Sequence, residues 1–140
     1  MKICNKLISL VFVAVIMLSL ALPVLAYEGG VSPYYNNTST ATADFSISSS
    51  GVATVNINCR GIRGTTTKIV VTTVIQKQSG SSWINVSNAS WTDESTVYYC
   101  IKEHTVQLNS RGTYKAIVTF TVSGSGGAND VITSTIEKTY

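Results

Sequence analysis

Residues able to carry chemistry are few and widely spaced in this chain of 140 residues, and His104 is its only histidine. A Ser–His–acid set would need that ring, with Asp93, Glu103 or Asp130 as the acid that orients it. Such sets often place the serine on a Gly-x-Ser-x-Gly turn between a strand and a helix, and the sequence has no such turn. His104 is therefore read as a polar residue near a strand end. Cys59, Cys100 and His104 supply three metal ligands at most, without the paired Cys-x-x-Cys spacing common in zinc sites. No metal and no cofactor is expected. Asp93-Glu94 is the only adjacent acidic pair. Glycoside hydrolysis needs two carboxyls about 5–9.5 Å apart across a cleft, which a domain this small rarely builds. The chain is not expected to be an enzyme.

Two glycine motifs imitate binding loops. "GIRG" (61–64) has the spacing of the KH-type nucleic-acid clamp, but that clamp lies between helices, and no helical period surrounds it here. "GSGG" (124–127) lacks the Gly-Lys-Ser/Thr ending of a phosphate loop. Both read as connections between strands. The aromatic residues carry more. Tyr34, Tyr35, Trp83, Trp91, Tyr98 and Tyr99 exceed what one small core requires. Exposed Tyr and Trp stack on sugar rings or anchor a protein partner. Trp83, Trp91, Tyr98 and Tyr99 are the candidate binding residues.

These side chains need elements to position them, and the first segment supplies none. Lys2 and Lys6 give a basic start, Leu7–Leu22 is apolar apart from two serines, and Pro23 ends the run. Val24-Leu25-Ala26 then places small residues before a cleavage point. Residues 1–26 read as a secretory signal peptide. The apolar run is short beside the roughly 20 residues that span a bilayer, so release is expected rather than a membrane anchor. Without Lys2 and Lys6, eight basic residues face seven acids. That balance gives no electrostatic case for nucleic acid or for an anionic membrane. Only Cys59 and Cys100 remain after the signal segment. In an oxidising compartment, two cysteines in a small domain most simply form one disulfide.

Residues 27–40 lack periodicity and read as a flexible arm. From 41 to 140 the chain reads as about seven strands separated by turn signals. "VATVNIN" alternates, with Val55, Ile57 and Cys59 on one face. "TTTKIVVTTVIQKQ" is long and β-branched. "GTYKAIVTFTV" has the clearest period, with Tyr114, Ala116, Val118, Phe120 and Val122 inward. No helical period occurs in this stretch. The expected fold is all-β, an immunoglobulin-like antiparallel sandwich of about seven strands, with a small barrel as the alternative.

"DESTVYYC" (93–100) looks like the stretch that precedes the second cysteine of an antibody domain, but its setting differs. Cys59 and Cys100 are 41 positions apart, and the antibody arrangement needs roughly 55–75. Trp83 and Trp91 come too late to be the core tryptophan after the first cysteine. Tyr114 stands instead where a tyrosine corner would sit, at the start of the sixth strand. Cys59 and Cys100 are then expected on adjacent strands of one sheet.

The blocks "SISSSGVATV", "RGIRGTTTKIVVT", "IQKQSGSSWINV" and "GTYKAIVTFTV", in this order, resemble a group of small secreted proteins of Gram-positive bacteria classed as a domain of unknown function. The resemblance spans nearly all of residues 41–140. It implies a compact extracellular all-β domain and brings no catalytic residues. The expected role is an extracellular binding or interaction domain, acting as a monomer. Its partner would be another extracellular protein or a cell-wall polymer, and a carbohydrate-binding module using surface aromatics is the alternative.

Overall fold

The computed structural model describes residues Tyr34–Tyr140; the signal segment expected at 1–26 lies outside the described residues. Among the described residues, seven strands follow one another without a helix: β1 (Thr38–Ile47), β2 (Val52–Gly61), β3 (Thr66–Ser79), β4 (Ser82–Ser95), β5 (Tyr99–Gln107), β6 (Thr113–Gly124) and β7 (Asp130–Thr139). They form two antiparallel sheets, ordered β1-β2-β5 and β4-β3-β6-β7. The sheets pack face to face as an immunoglobulin-like sandwich. No ladder joins the β4 or β7 edge to the other sheet, so the barrel alternative is not realised.

The period-two pattern explains the packing. On β6, Tyr114, Ala116, Val118, Phe120 and Val122 are all buried, while the residues between them face outward. β3 contributes Ile69, Val71, Thr73 and Ile75, and β2 contributes Ala53, Val55, Ile57 and Cys59. Each strand thus presents one apolar face, and two such faces make a single core. The tyrosine corner forms as the sequence suggests: the Tyr114 hydroxyl donates to the Ser110 carbonyl at 2.6 Å.

The structure departs from the sequence reading at β1. Residues 38–40 are not part of an arm. β1 begins at Thr38, and Asn37 and Thr38 are buried. Asp130 holds them: its carboxylate accepts from the backbone N–H of Asn36 and of Asn37 and from the Thr38 hydroxyl, at 2.8–2.9 Å. A polar run reads as a linker when the acid that satisfies it lies about ninety positions away. β4 runs on through the polar residues after Val86 to Ser95, across a bulge. Val74 pairs with Ser90 but Gln76 pairs with Asn85, so residues 86–89 of β4 face Ile75 alone. Asn88 takes the left-handed conformation there, at φ 59°, a region Asn tolerates better than most residues.

Candidate functional site

Antiparallel connectivity brings the β2–β3, β4–β5 and β6–β7 loops to one end of the sandwich, beside the start of β1. Backbone hydrogen bonds tie them together. Gly61 N–H donates to Tyr98 C=O at 2.7 Å, Ile62 N–H to Asn37 C=O at 2.9 Å, and Ser125 N–H to Thr65 C=O at 3.0 Å. The Asn37 side chain links the same parts, donating to Ala128 C=O and accepting from Gly126 N–H. Gly126 is required: a Cβ there would lie 2.1 Å from the Asn36 carbonyl oxygen. Asp130 secures this clamp. Burial acts to raise its carboxyl, but the Asn36, Asn37 and Thr38 donors outweigh that and hold it below the ordinary carboxylate range.

This fixed end carries exposed apolar and aromatic side chains. Val97 and Tyr99 are each 47% exposed, Ile101 is 55% and Ile62 is 38%. Tyr98 stands edge-on to Tyr99, with ring centroids 5.4 Å apart and an interplanar angle of 83°. The Arg63 guanidinium lies 5.8 Å from the Tyr98 ring centroid. Arg60 pairs with Tyr99 across the β2–β5 ladder, and both are exposed. The patch thus holds two tyrosines, two arginines and three aliphatic side chains, and no carboxylate among the residues named.

Of the four aromatic residues singled out in the sequence, the structure brings together two. Tyr98 and Tyr99 form this patch. Trp83 lies at the opposite end of β4, with the Lys115 ammonium 4.2 Å from its ring centroid. Trp91 packs against the core and stacks on His104, at 4.8 Å between centroids and 8° between planes. Ile62, Arg63 and Val97 were not singled out. Ile62 and Arg63 sit in the β2–β3 loop and Val97 in the β4–β5 loop, and no periodicity marks a loop residue as a neighbour of another.

His104 has an acid beside it, and of the three candidates that acid is Asp93. Their Nε2 and Oδ2 atoms are 2.6 Å apart, and both side chains are mostly buried. The pair links β5 to β4, where the edges of the two sheets meet. Among the described residues no serine hydroxyl is hydrogen-bonded to the ring. The arrangement therefore contains the orienting acid and the base of a triad without a hydroxyl nucleophile in place.

Cys59 and Cys100 are opposed across β2 and β5, as expected for adjacent strands. The expected bond between them is not present in the structure, which holds both as buried free thiols. Burial, and then the neighbouring Cys100, push the Cys59 thiol up to about 11. Cys100 is raised by burial and by Asp93, against a smaller opposing effect of Lys102. Thiolate character is what makes a cysteine reactive, so neither thiol is an activated nucleophile. Among the described residues no three His, Cys, Asp or Glu side chains converge on a metal-sized site.

In comparisons with protein-family models, with curated proteins and with solved structures, no match to this chain is found. These comparisons do not bear on the resemblance read from the sequence.

Proposed function

We propose that this chain is a secreted, non-catalytic binding domain that holds another extracellular protein through its Tyr98–Tyr99 end. One observation carries the reading: the exposed cluster of Ile62, Val97, Tyr99 and Ile101, flanked by Tyr98, Arg60 and Arg63, on loops and strand ends beside the Asn37–Asp130 clamp. Tyr and Arg are the residue types most enriched in energetic hot spots, and a rigid surface loses little conformational freedom on binding. Among the described residues neither Arg60 nor Arg63 forms a salt bridge, and two such arginines favour a partner that presents acidic groups. The carbohydrate alternative has less support. A sugar platform needs aromatic rings aligned on one face, and Trp83 and Trp91 lie far from Tyr99 and partly covered.

The test is site-specific photocrosslinking on the producing cells. A photoreactive amino acid at position 62 or 97 should trap one discrete protein. The same group at Thr133, on the outer face of the four-stranded sheet, should not. Arg63→Glu should lower the yield at least ten-fold with folding intact. Equal adducts from both faces would overturn the proposal, and co-sedimentation with purified wall polysaccharide that needs Tyr99 would replace it with the carbohydrate reading.

A further inference from the structure

At the end of the sandwich away from the tyrosine patch, the β3–β4 hairpin and the β5–β6 loop line an open cavity of about 300 Å³. That is the lower end of the range for small-molecule sites, roughly 300–1,000 Å³. The buried side chains of Leu108 and Tyr114 and the half-buried Val86 give it apolar walls. Ile84 stands at the rim, 58% exposed, a large aliphatic side chain left in water.

Among the described residues, the one charged side chain lining the cavity is Lys77, and no carboxylate lines it. Lys77 continues the inward row of β3 one step beyond Ile75, where the core ends. Its ammonium donates to the Ser110 hydroxyl at 2.6 Å and lies 5.7 Å from the Tyr114 ring centroid. An ammonium has three donors. Ser110 takes one, and no other described side chain accepts from it. The Tyr114 ring and the Ser110 bond hold the cation in place, so it is positioned before any ligand arrives.

We propose that this cavity binds a small monocarboxylate with an apolar body, its carboxylate on Lys77 and its body against Val86, Leu108 and Tyr114. The cavity offers such a ligand a charge-assisted hydrogen bond, worth more than a neutral one, and apolar walls that remove its body from water. Ile84 would lose its exposure to the bound body. The site is separate from the tyrosine patch and does not depend on how that patch is used.

The probes are benzoate and its neutral isostere benzamide, followed by amide chemical shifts of the mature protein. Benzoate should bind in the millimolar range expected of so small a ligand, moving the signals of Leu108 and Tyr114 and leaving those of Tyr98 and Tyr99 unmoved. Benzamide should bind about ten-fold more weakly. Lys77→Met should remove the preference for the acid, and Lys77→Arg should keep it. Ile84→Asp, a change at an exposed rim position that does not disturb the core, should weaken both probes and benzoate the more, since only benzoate is also repelled by the new charge. Equal binding of the two probes to the native protein, shifts confined to other surfaces, or undiminished benzoate binding in both Lys77→Met and Ile84→Asp would overturn the proposal.

Discussion

Cys59 and Cys100 face each other across the β2–β5 ladder at a hydrogen-bonded position. The ladder itself dictates this. Gly61 N–H donates to Tyr98 C=O, and hydrogen-bonded pairs alternate with open pairs along an antiparallel ladder. Cys59/Cys100 lies two steps from Gly61/Tyr98, so it is of the same kind. Side chains stand farther apart at such a pair, with Cβ atoms near the upper end of the roughly 4.5–5.5 Å range for directly opposed residues. A relaxed disulfide brings its Cβ atoms to about 3.5–4.5 Å. Joining two sulfurs here therefore strains the ladder or the bridge itself.

A disulfide formed at this pair is therefore expected to be strained and easily reduced. Equilibrating the oxidised protein in glutathione buffers, with thiol trapping and mass spectrometry, should give a midpoint above the roughly −300 mV typical of structural disulfides in secreted proteins. A midpoint well below that value would show that the ladder accommodates the bond without strain.

Asp130 should give the fold a pH dependence with a definite sign. Its carboxyl is lowered in the folded state from an ordinary value of 3.8. The stabilisation is thus complete above that value and is lost as the pH falls through the lower folded one. Asp130→Asn should cost roughly 2–3 kcal/mol at neutral pH, because buried donors lose a charged acceptor. In urea titrations the gap between native protein and variant should narrow below about pH 4. A gap that stays constant down to pH 2 would locate the clamp's strength elsewhere, in the Asn37 side chain.

Thr73 is fully buried, and its hydroxyl has no hydrogen-bond partner among the described residues. It stands between Val118 on β6 and Trp91 on β4. Thr73→Val should stabilise the domain by about 1 kcal/mol, since it removes a desolvated hydroxyl and nearly preserves the shape. Thr73→Ser, which keeps the hydroxyl and deletes the methyl, should destabilise it by a similar amount, about 1 kcal/mol. Thermal melts of the three proteins decide it, and a Val variant that melts lower would mean that the hydroxyl is satisfied in solution.

Much of the scaffold was legible because strands with one buried face record that face in every second residue. The inward row from Tyr114 to Val122 is such a record, and the Tyr114 corner follows from its place at the strand start. β4 was harder, because its bulge resets the alternation: Trp83 and Asn85 face outward before it, and Ser90 and Thr92 after it, on a changed parity. The binding end was harder still. Its tyrosines were visible as a pair, but Ile62 and Arg63 reach them only through loop packing. The acid beside His104 could be narrowed to three candidates by composition, and only the meeting of β4 and β5 selects Asp93.

The clamp at Asn37 also decides how the domain can be handled. It brings the chain into the sandwich at the end that carries Tyr98 and Tyr99, whereas Tyr140 packs near Gly51 and hydrogen-bonds to Gly112, at the opposite end. A tag or surface linkage attached through the amino-terminal side would crowd the tyrosines, while one attached at Tyr140 would leave them facing away from the support. Immobilisation geometry should therefore change the apparent strength of any partner without altering a single contact residue.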